Sequence, residues 1–136
     1  MKQYDAIIIG FGKGGKTLAT ALAKKGQEVA IIEQSKLMYG GTCINIGCIP
    51  TKALVHYSKH SQQSNIQDFD NKAAAYRLAI DKKTTLISGL RQKNFDNLNN
   101  NEKITIYTGK ATFASRLKYQ FKMTKILHQF MVRRFI

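Results

Sequence analysis

The spacing of apolar residues changes twice in the first quarter of the chain. Tyr4 to Ile9 is largely apolar and β-branched, closed by Gly10, and predicts a buried strand of a parallel sheet. Lys13 to Lys25 carries Leu18, Ala19, Leu22 and Ala23 at helical spacing, with Gly26 placed to cap the helix. Glu28 to Glu33, with Val29, Ala30, Ile31 and Ile32, predicts a second strand. Strand, helix and strand within about 30 residues is the usual length of a right-handed crossover between parallel strands. The fold class that follows is α/β.

Further along, Gly40 and Gly41 interrupt the chain, and Cys48 to Ser58 reads as a helix whose start is marked by Pro50. Asp70 to about Leu98 predicts a long packing helix with Tyr76, Ile80, Ile87 and Leu90 along one side. Asn94 to Asn101 is rich in Asn and Asp and predicts a loop or turn. Ile104 to Thr108 predicts a third strand, followed by a turn at Gly109. Near the end, Met123, Ile126, Leu127, Phe130, Met131 and Phe135 recur at roughly helical spacing, with Lys118, Lys122, Lys125 and Arg133 mostly on other faces. That pattern suits a basic amphipathic helix on an anionic membrane. The competing reading, and the preferred one, is that residues 116–136 are translated out of frame and need not fold.

Two motifs carry the chemistry. Gly10-Phe11-Gly12-Lys13-Gly14-Gly15 fits G-x-G-x-x-G, in which Gly10 allows a tight turn, Gly12 lets a pyrophosphate approach the backbone, and Gly15 lets helix and strand pack closely. The first N–H groups of the following helix then face the anion. Glu33 ends the next strand at about the distance expected of an acid that binds ribose hydroxyls; alone, it would read equally well as an exposed strand-end acid. Strand, loop, helix and acid together predict a bound dinucleotide.

The second motif is Gly40-Gly41-Thr42-Cys43-Ile44-Asn45-Ile46-Gly47-Cys48-Ile49-Pro50-Thr51-Lys52. One helical turn between Cys43 and Cys48 could bring their sulfurs within bonding distance. Pro50 places Cys48 near a helix start, where the dipole favours negative charge, and Lys52 follows one turn later on the same face. Buried free thiols are one alternative, and a zinc site recruiting His56 and His60 is another. The gap from Cys48 to His56 is shorter than in the usual zinc finger, so no metal site is expected.

The segment GGTCINIGCIPTK closely resembles the active-site signature of the pyridine nucleotide-disulfide oxidoreductases, a family that includes dihydrolipoamide dehydrogenase, glutathione reductase and mercuric reductase. Thr51 before Lys52, with the GFGKGGK loop, looks most like the mercuric-reductase-like branch, which includes reductases of reactive chlorine species or hypothiocyanous acid. The resemblance implies a Rossmann-like FAD-binding domain, here incomplete, with Gly10, Gly12 and Gly15 at the pyrophosphate and Glu33 at the adenosine ribose. It puts Gly41 and Thr42 beside the flavin, Lys52 at its reactive edge and the backbone of Ala111 at the adenine, although Ala111 also suits a plain strand-edge turn. Catalysis would relay electrons from NAD(P)H through FAD to a Cys43–Cys48 disulfide and on to a small substrate: a disulfide, an oxidised sulfur species or a metal ion. Cys48 would stand against the flavin and Cys43 would attack substrate. Family members form homodimers, an assembly doubtful for a chain this short.

Composition limits these readings. The chain has 136 residues, 43% of them hydrophobic, enough for a packed core. No apolar run approaches the roughly 20 residues of a membrane span, and the start leads directly into a strand, so a cytoplasmic protein is expected. In that setting two cysteines argue for chemistry rather than a staple. The net charge of +14 is concentrated at the end, where residues 116–136 hold six Lys and Arg and no acid. Neither a nucleic-acid nor a membrane partner is expected from charge alone. The resemblance runs from Tyr4 to about Ser115, dividing the chain into a FAD-binding part, 1–115, and a basic tail, 116–136. There is no second glycine-rich loop for NAD(P)H and no later catalytic His-Glu pair; the only later histidine is His128. The chain by itself is therefore expected to lack turnover, the alternatives being a nucleotide-binding fragment or a basic-tailed interaction protein.

Overall fold

The structure is a computed structural model that describes residues 2–64, 68–115, 118–123 and 126–132. Strand β1 (Gln3–Tyr4) and strand β2 (Ala6–Ile9) are separated at Asp5. Helix α1 (Lys13–Lys24) and strand β3 (Val29–Glu33) follow. A 3-10 turn at Lys36–Met38 leads to the short helix α2 (Thr42–Asn45), then α3 (Cys48–Gln63) and α4 (Phe69–Asn99). Strands β4 (Ile104–Thr108), β5 (Lys110–Ser115), β6 (Lys118–Met123) and β7 (Ile126–Val132) complete the described chain.

Two sheets result. The first is parallel, in the order β2-β3-β4, with Ala6, Val29 and Ile104 in register and Ile8, Ile31 and Ile106 two residues on. Period-two alternation sends these six toward the helices, where they meet Phe11, Ala19, Leu22, Ala23, Tyr39 and Leu98. The intervening Ile7, Ala30 and Ile32 face the other side with Tyr4, and Tyr107 and Ala111 pack against them. With both faces covered, Val29–Ile32 is at most 1% exposed, which is why that strand reads as a continuous apolar run. The second sheet, in the order β1-β7-β6-β5, has antiparallel β5-β6 and β6-β7 pairs and a parallel β1-β7 pair.

Four sequence expectations need correction. The single strand from Tyr4 to Ile9 is broken because the Asp5 carboxylate accepts the Glu28 N–H at 2.9 Å while Asp5 N–H donates to Glu28 O at 2.8 Å, handing the chain from one sheet to the other. Asn94 to Asn99 is helix rather than loop: Phe95 and Leu98 pack on the core, and Asn94 Nδ2 donates to Leu90 O, so burial outweighs the poor propensity of Asn. The turn starts only at Asn100. Of the side expected to pack on α4, Ile87 is buried and Ile80 and Leu90 are half-buried, but Tyr76 is 65% exposed, so the packed face stops short of the first turns. Finally, residues 118–123 and 126–132 are strands, which overturns the amphipathic helix, the less favoured of the two readings of the tail. Lys118, Gln120 and Lys122 alternate with Tyr119, Phe121 and Met123, a period of two that the looser helical spacing hid. Lys125, Arg133 and Phe135 lie outside the described residues.

Candidate functional site

The glycine loop lies at the carboxyl end of the parallel sheet, where doubly wound folds place their ligands. Gly10 turns the chain off β2 with a φ of +106°, its N–H donating to Ile32 O at 2.7 Å. Gly15 packs so closely that a Cβ there would lie 2.2 Å from Gly10 O and 3.1 Å from Ile8 Cγ2. Gly12 differs: a Cβ on it would meet nothing within 4 Å, so no neighbour within this chain requires the glycine. Lys16 N–H, bonded to Gly12 O at 3.0 Å, is the first-turn amide with a helical partner, leaving the N–H groups of residues 13–15 to point past the helix start. An open glycine below unpaired amides fits the approach of a pyrophosphate.

Glu33 sits beside this loop. Its Oε2 accepts the Phe11 N–H at 2.9 Å and its Oε1 accepts the Ser35 N–H at 3.3 Å, so the carboxylate is held at the loop with further lone pairs to offer. Gly109 N–H donates to Glu33 O at 2.8 Å, which brings β5 and Ala111 to the same edge; the Ala111 side chain itself packs inward.

The cysteine segment meets the loop through backbone. Gly41 has a φ of +79°, and a Cβ there would stand 2.6 Å from Gly12 Cα. Thr42 and Cys43 begin α2 directly after this contact, and Cys48 is the first residue of α3, as Pro50 implied. Thr42 O accepts N–H bonds from Ile46 at 2.9 Å and Gly47 at 2.8 Å, folding the connector so that Cys48 returns to Cys43. Both cysteines are exposed free thiols, and they are near enough for Cys48 to perturb Cys43. The Cys48 side chain, with smaller contributions from desolvation and the charge of Cys48, raises the Cys43 thiol above its ordinary value, against lowering by the Cys48 backbone and, less, by the Lys13 ammonium. Lys52 is exposed one turn beyond Cys48. The structure therefore gathers Gly10, Gly12, Gly15, Glu33, Gly41, Thr42, Cys43 and Cys48 around one end of the sheet.

Sequence reasoning missed the residues that hold this arrangement. Asn45 Nδ2 donates to Tyr39 O at 3.0 Å and Gly41 O at 2.9 Å, while Arg91 Nε donates to Asn45 Oδ1 at 2.9 Å. The Tyr39 ring lies between Phe11, at 5.0 Å between centroids, and Phe95, at 4.9 Å. No local pattern marks a pairing of Asn45 with Arg91, which are 46 residues apart. His56 and His60 stand further along α3 with ring centroids 4.5 Å apart, and among the described residues no three His, Cys, Asp or Glu side chains converge as a metal would require.

Comparison with known proteins agrees with this geometry. A family model described as pyridine nucleotide-disulphide oxidoreductase matches residues 4–127, so the match continues past Ser115. The probable pyridine nucleotide-disulfide oxidoreductase RclA of Escherichia coli (strain K12) is 53% identical over 113 residues, covering 83% of this chain and 23% of its own length. The dihydrolipoyl dehydrogenase of Chlamydia pneumoniae is 33% identical over 120 residues, covering 84% of this chain and 25% of the relative. The solved structure of a Cu(II) complex of the HOCl-induced flavoprotein disulfide reductase RclA from Escherichia coli superposes with a TM-score of 0.81 at 44% identity, covering 97% of this chain and 27% of that one. The chain thus spans about a quarter of the length of these relatives.

Proposed function

This chain belongs to the pyridine nucleotide-disulphide oxidoreductase family, whose members are FAD-dependent and use NAD(P)H, and on that premise we propose that it is the FAD-binding, thiol-bearing portion of a disulfide reductase. The observation that carries the proposal is the backbone contact between Gly12 and Gly41, which puts a dinucleotide loop and a thiol pair in one site. Bound FAD supplies the two-electron exchange between NAD(P)H and the thiol pair.

The chain's own residues divide the remaining work. Gly10, Gly12 and Gly15, with the first amides of α1, receive the pyrophosphate, and Glu33 accepts from the ribose hydroxyls. Gly41 and Thr42 would line the flavin side, Lys52 would offer a positive charge there, and the Ala111 backbone would serve the adenine. In the reducing half-cycle, the Cys43 thiolate attacks one sulfur of a disulfide substrate, and the first thiolate leaves and takes a proton. The Cys48 thiolate then attacks the Cys43 sulfur, releasing the second thiol and closing the Cys43–Cys48 disulfide. Small oxidised sulfur species suit this exposed pair, and the likeness to a disulfide reductase that is HOCl-induced in Escherichia coli supports oxidised sulfur as the substrate class of the whole protein.

The test is an FAD titration followed by flavin fluorescence, with thiol protection measured after mild oxidation. Expected are stoichiometric FAD binding and simultaneous loss of both alkylatable thiols within one peptide. Failure to bind FAD above the level of free nicotinamide dinucleotides would overturn the proposal, as would oxidation to intermolecular disulfides only.

A further inference from the structure

We propose that the groove between α1 and α4 is a second anion site, built for a small phosphate monoester with a compact apolar body. The groove is open, about 550 Å³ in volume, and runs along the flank of α1 from the first-turn Lys16 to Lys24. That volume lies in the range of sites for small organic ligands.

Its lining is one-sided in charge. Lys16 and Lys24 stand two turns apart on α1, Thr17 and Thr20 lie between them, and among the described residues no carboxylate lines the groove. Across from them α4 contributes Asn94 and Asn97, while Ala21 and Leu98 form an apolar floor. The neighbouring acid on α4, Asp96, is engaged instead by the Gln92 amide at 2.8 Å.

Asn94, Lys16 and Thr20 are oriented before any ligand arrives. Asn94 Nδ2 donates to Leu90 O at 2.7 Å, which fixes Asn94 Oδ1 as an acceptor for Lys16 Nζ. That partner is neutral, so the Lys16 charge stays uncompensated and two of its three hydrogens remain to donate. Thr20 Oγ1 spends its hydrogen on Lys16 O at 2.9 Å, so the hydroxyl available to donate is that of Thr17. Two ammonium groups, a hydroxyl and the Asn97 amide around an apolar floor complement a dianionic phosphate on a ring or short chain, and they repel cations. The overall charge of +14 adds long-range attraction for such an anion.

Phenyl phosphate, titrated into the full chain at fixed ionic strength and followed by amide chemical shifts, is the test. The expected result is saturable movement of Thr17, Ala21, Lys24 and Asn97 together, weakened about fivefold in Lys24→Gln, the worth of one exposed charge contact. Shifts confined to residues 12–15 would assign the phosphate to the glycine loop and overturn the proposal. Equal affinity for Lys24→Gln and the parent would do the same, and so would an equal response to uncharged phenol, which would leave only the apolar floor.

Discussion

Replacing Gly12 and Gly15 by alanine, one at a time, separates a glycine kept for a ligand from a glycine kept for packing. In Gly15→Ala the new methyl would sit 2.2 Å from Gly10 O, and the obstruction is backbone that is already turned at a φ of +106°. The helix must shift away from β2, an overpacking cost of about 1–3 kcal/mol. For a domain of this size that is on the order of 3–15 °C in melting temperature. In Gly12→Ala the methyl meets nothing within 4 Å, and the residue's φ of −75° suits any side chain. Loss of chain freedom in the unfolded state, worth about 0.4–1 kcal/mol, opposes the poorer N-capping of alanine at Gly12, so stability should stay within about 1 kcal/mol of the parent. Its methyl would nevertheless stand where the pyrophosphate has to approach, so FAD affinity should fall while stability holds. Thermal and urea unfolding of both variants, beside flavin titrations, gives the answer. Equal destabilisation by the two substitutions would refute the packing argument, and unchanged FAD affinity in Gly12→Ala would refute the assignment of the open face.

Two further substitutions probe the thiols and their support. Asn45→Ala removes donors to Tyr39 O and Gly41 O and strands Arg91, so it should cost about 1–3 kcal/mol in urea unfolding and slow closure of the Cys43–Cys48 disulfide under mild oxidant. An unchanged closure rate would show that the thiols are positioned without the clamp. The raised Cys43 thiol stays protonated to higher pH, so its alkylation in the reduced protein should climb only above its ordinary value of 9.0, and Lys13→Gln should push the midpoint further up. A midpoint that falls on removing Lys13 would contradict the electrostatics described.

What the sequence disclosed and what it hid divide by range. The glycine spacing and the placement of Pro50 are local and predicted their local structure, down to Cys48 at the start of α3, whereas the single helical turn expected between Cys43 and Cys48 is instead two helices joined at Ile46-Gly47. Glu33 was placed by counting from Gly10, because a βαβ crossover has a nearly fixed length. The departures come from contacts between distant segments. Asp5 breaks a strand by reaching Glu28, and Phe95 and Leu98 hold Asn-rich sequence helical by packing on the core. Asn45 acquires its role only when α4 delivers Arg91. The final segment misled for another reason: its apolar residues fit two periods at once, and pairing with β5 and β1 selected the shorter.

The aromatic stack of Phe11, Tyr39 and Phe95 determines which part of the site can move. Tyr39 is 7% exposed, wedged between rings and joined through its hydroxyl to Thr108 Oγ1, so the stretch entering Gly40-Gly41 is immobilised from below. Closing a disulfide between Cys43 and Cys48 brings their sulfurs to about 2.05 Å, a movement shared between side-chain rotation and whatever backbone can give. With Gly41 wedged on Gly12 and Ala53 buried one turn into α3, the short connector Ile46-Gly47 is where the strain can go. Oxidation state would then be written as a local rotation between α2 and α3, leaving the dinucleotide platform in the same place for donor and acceptor alike.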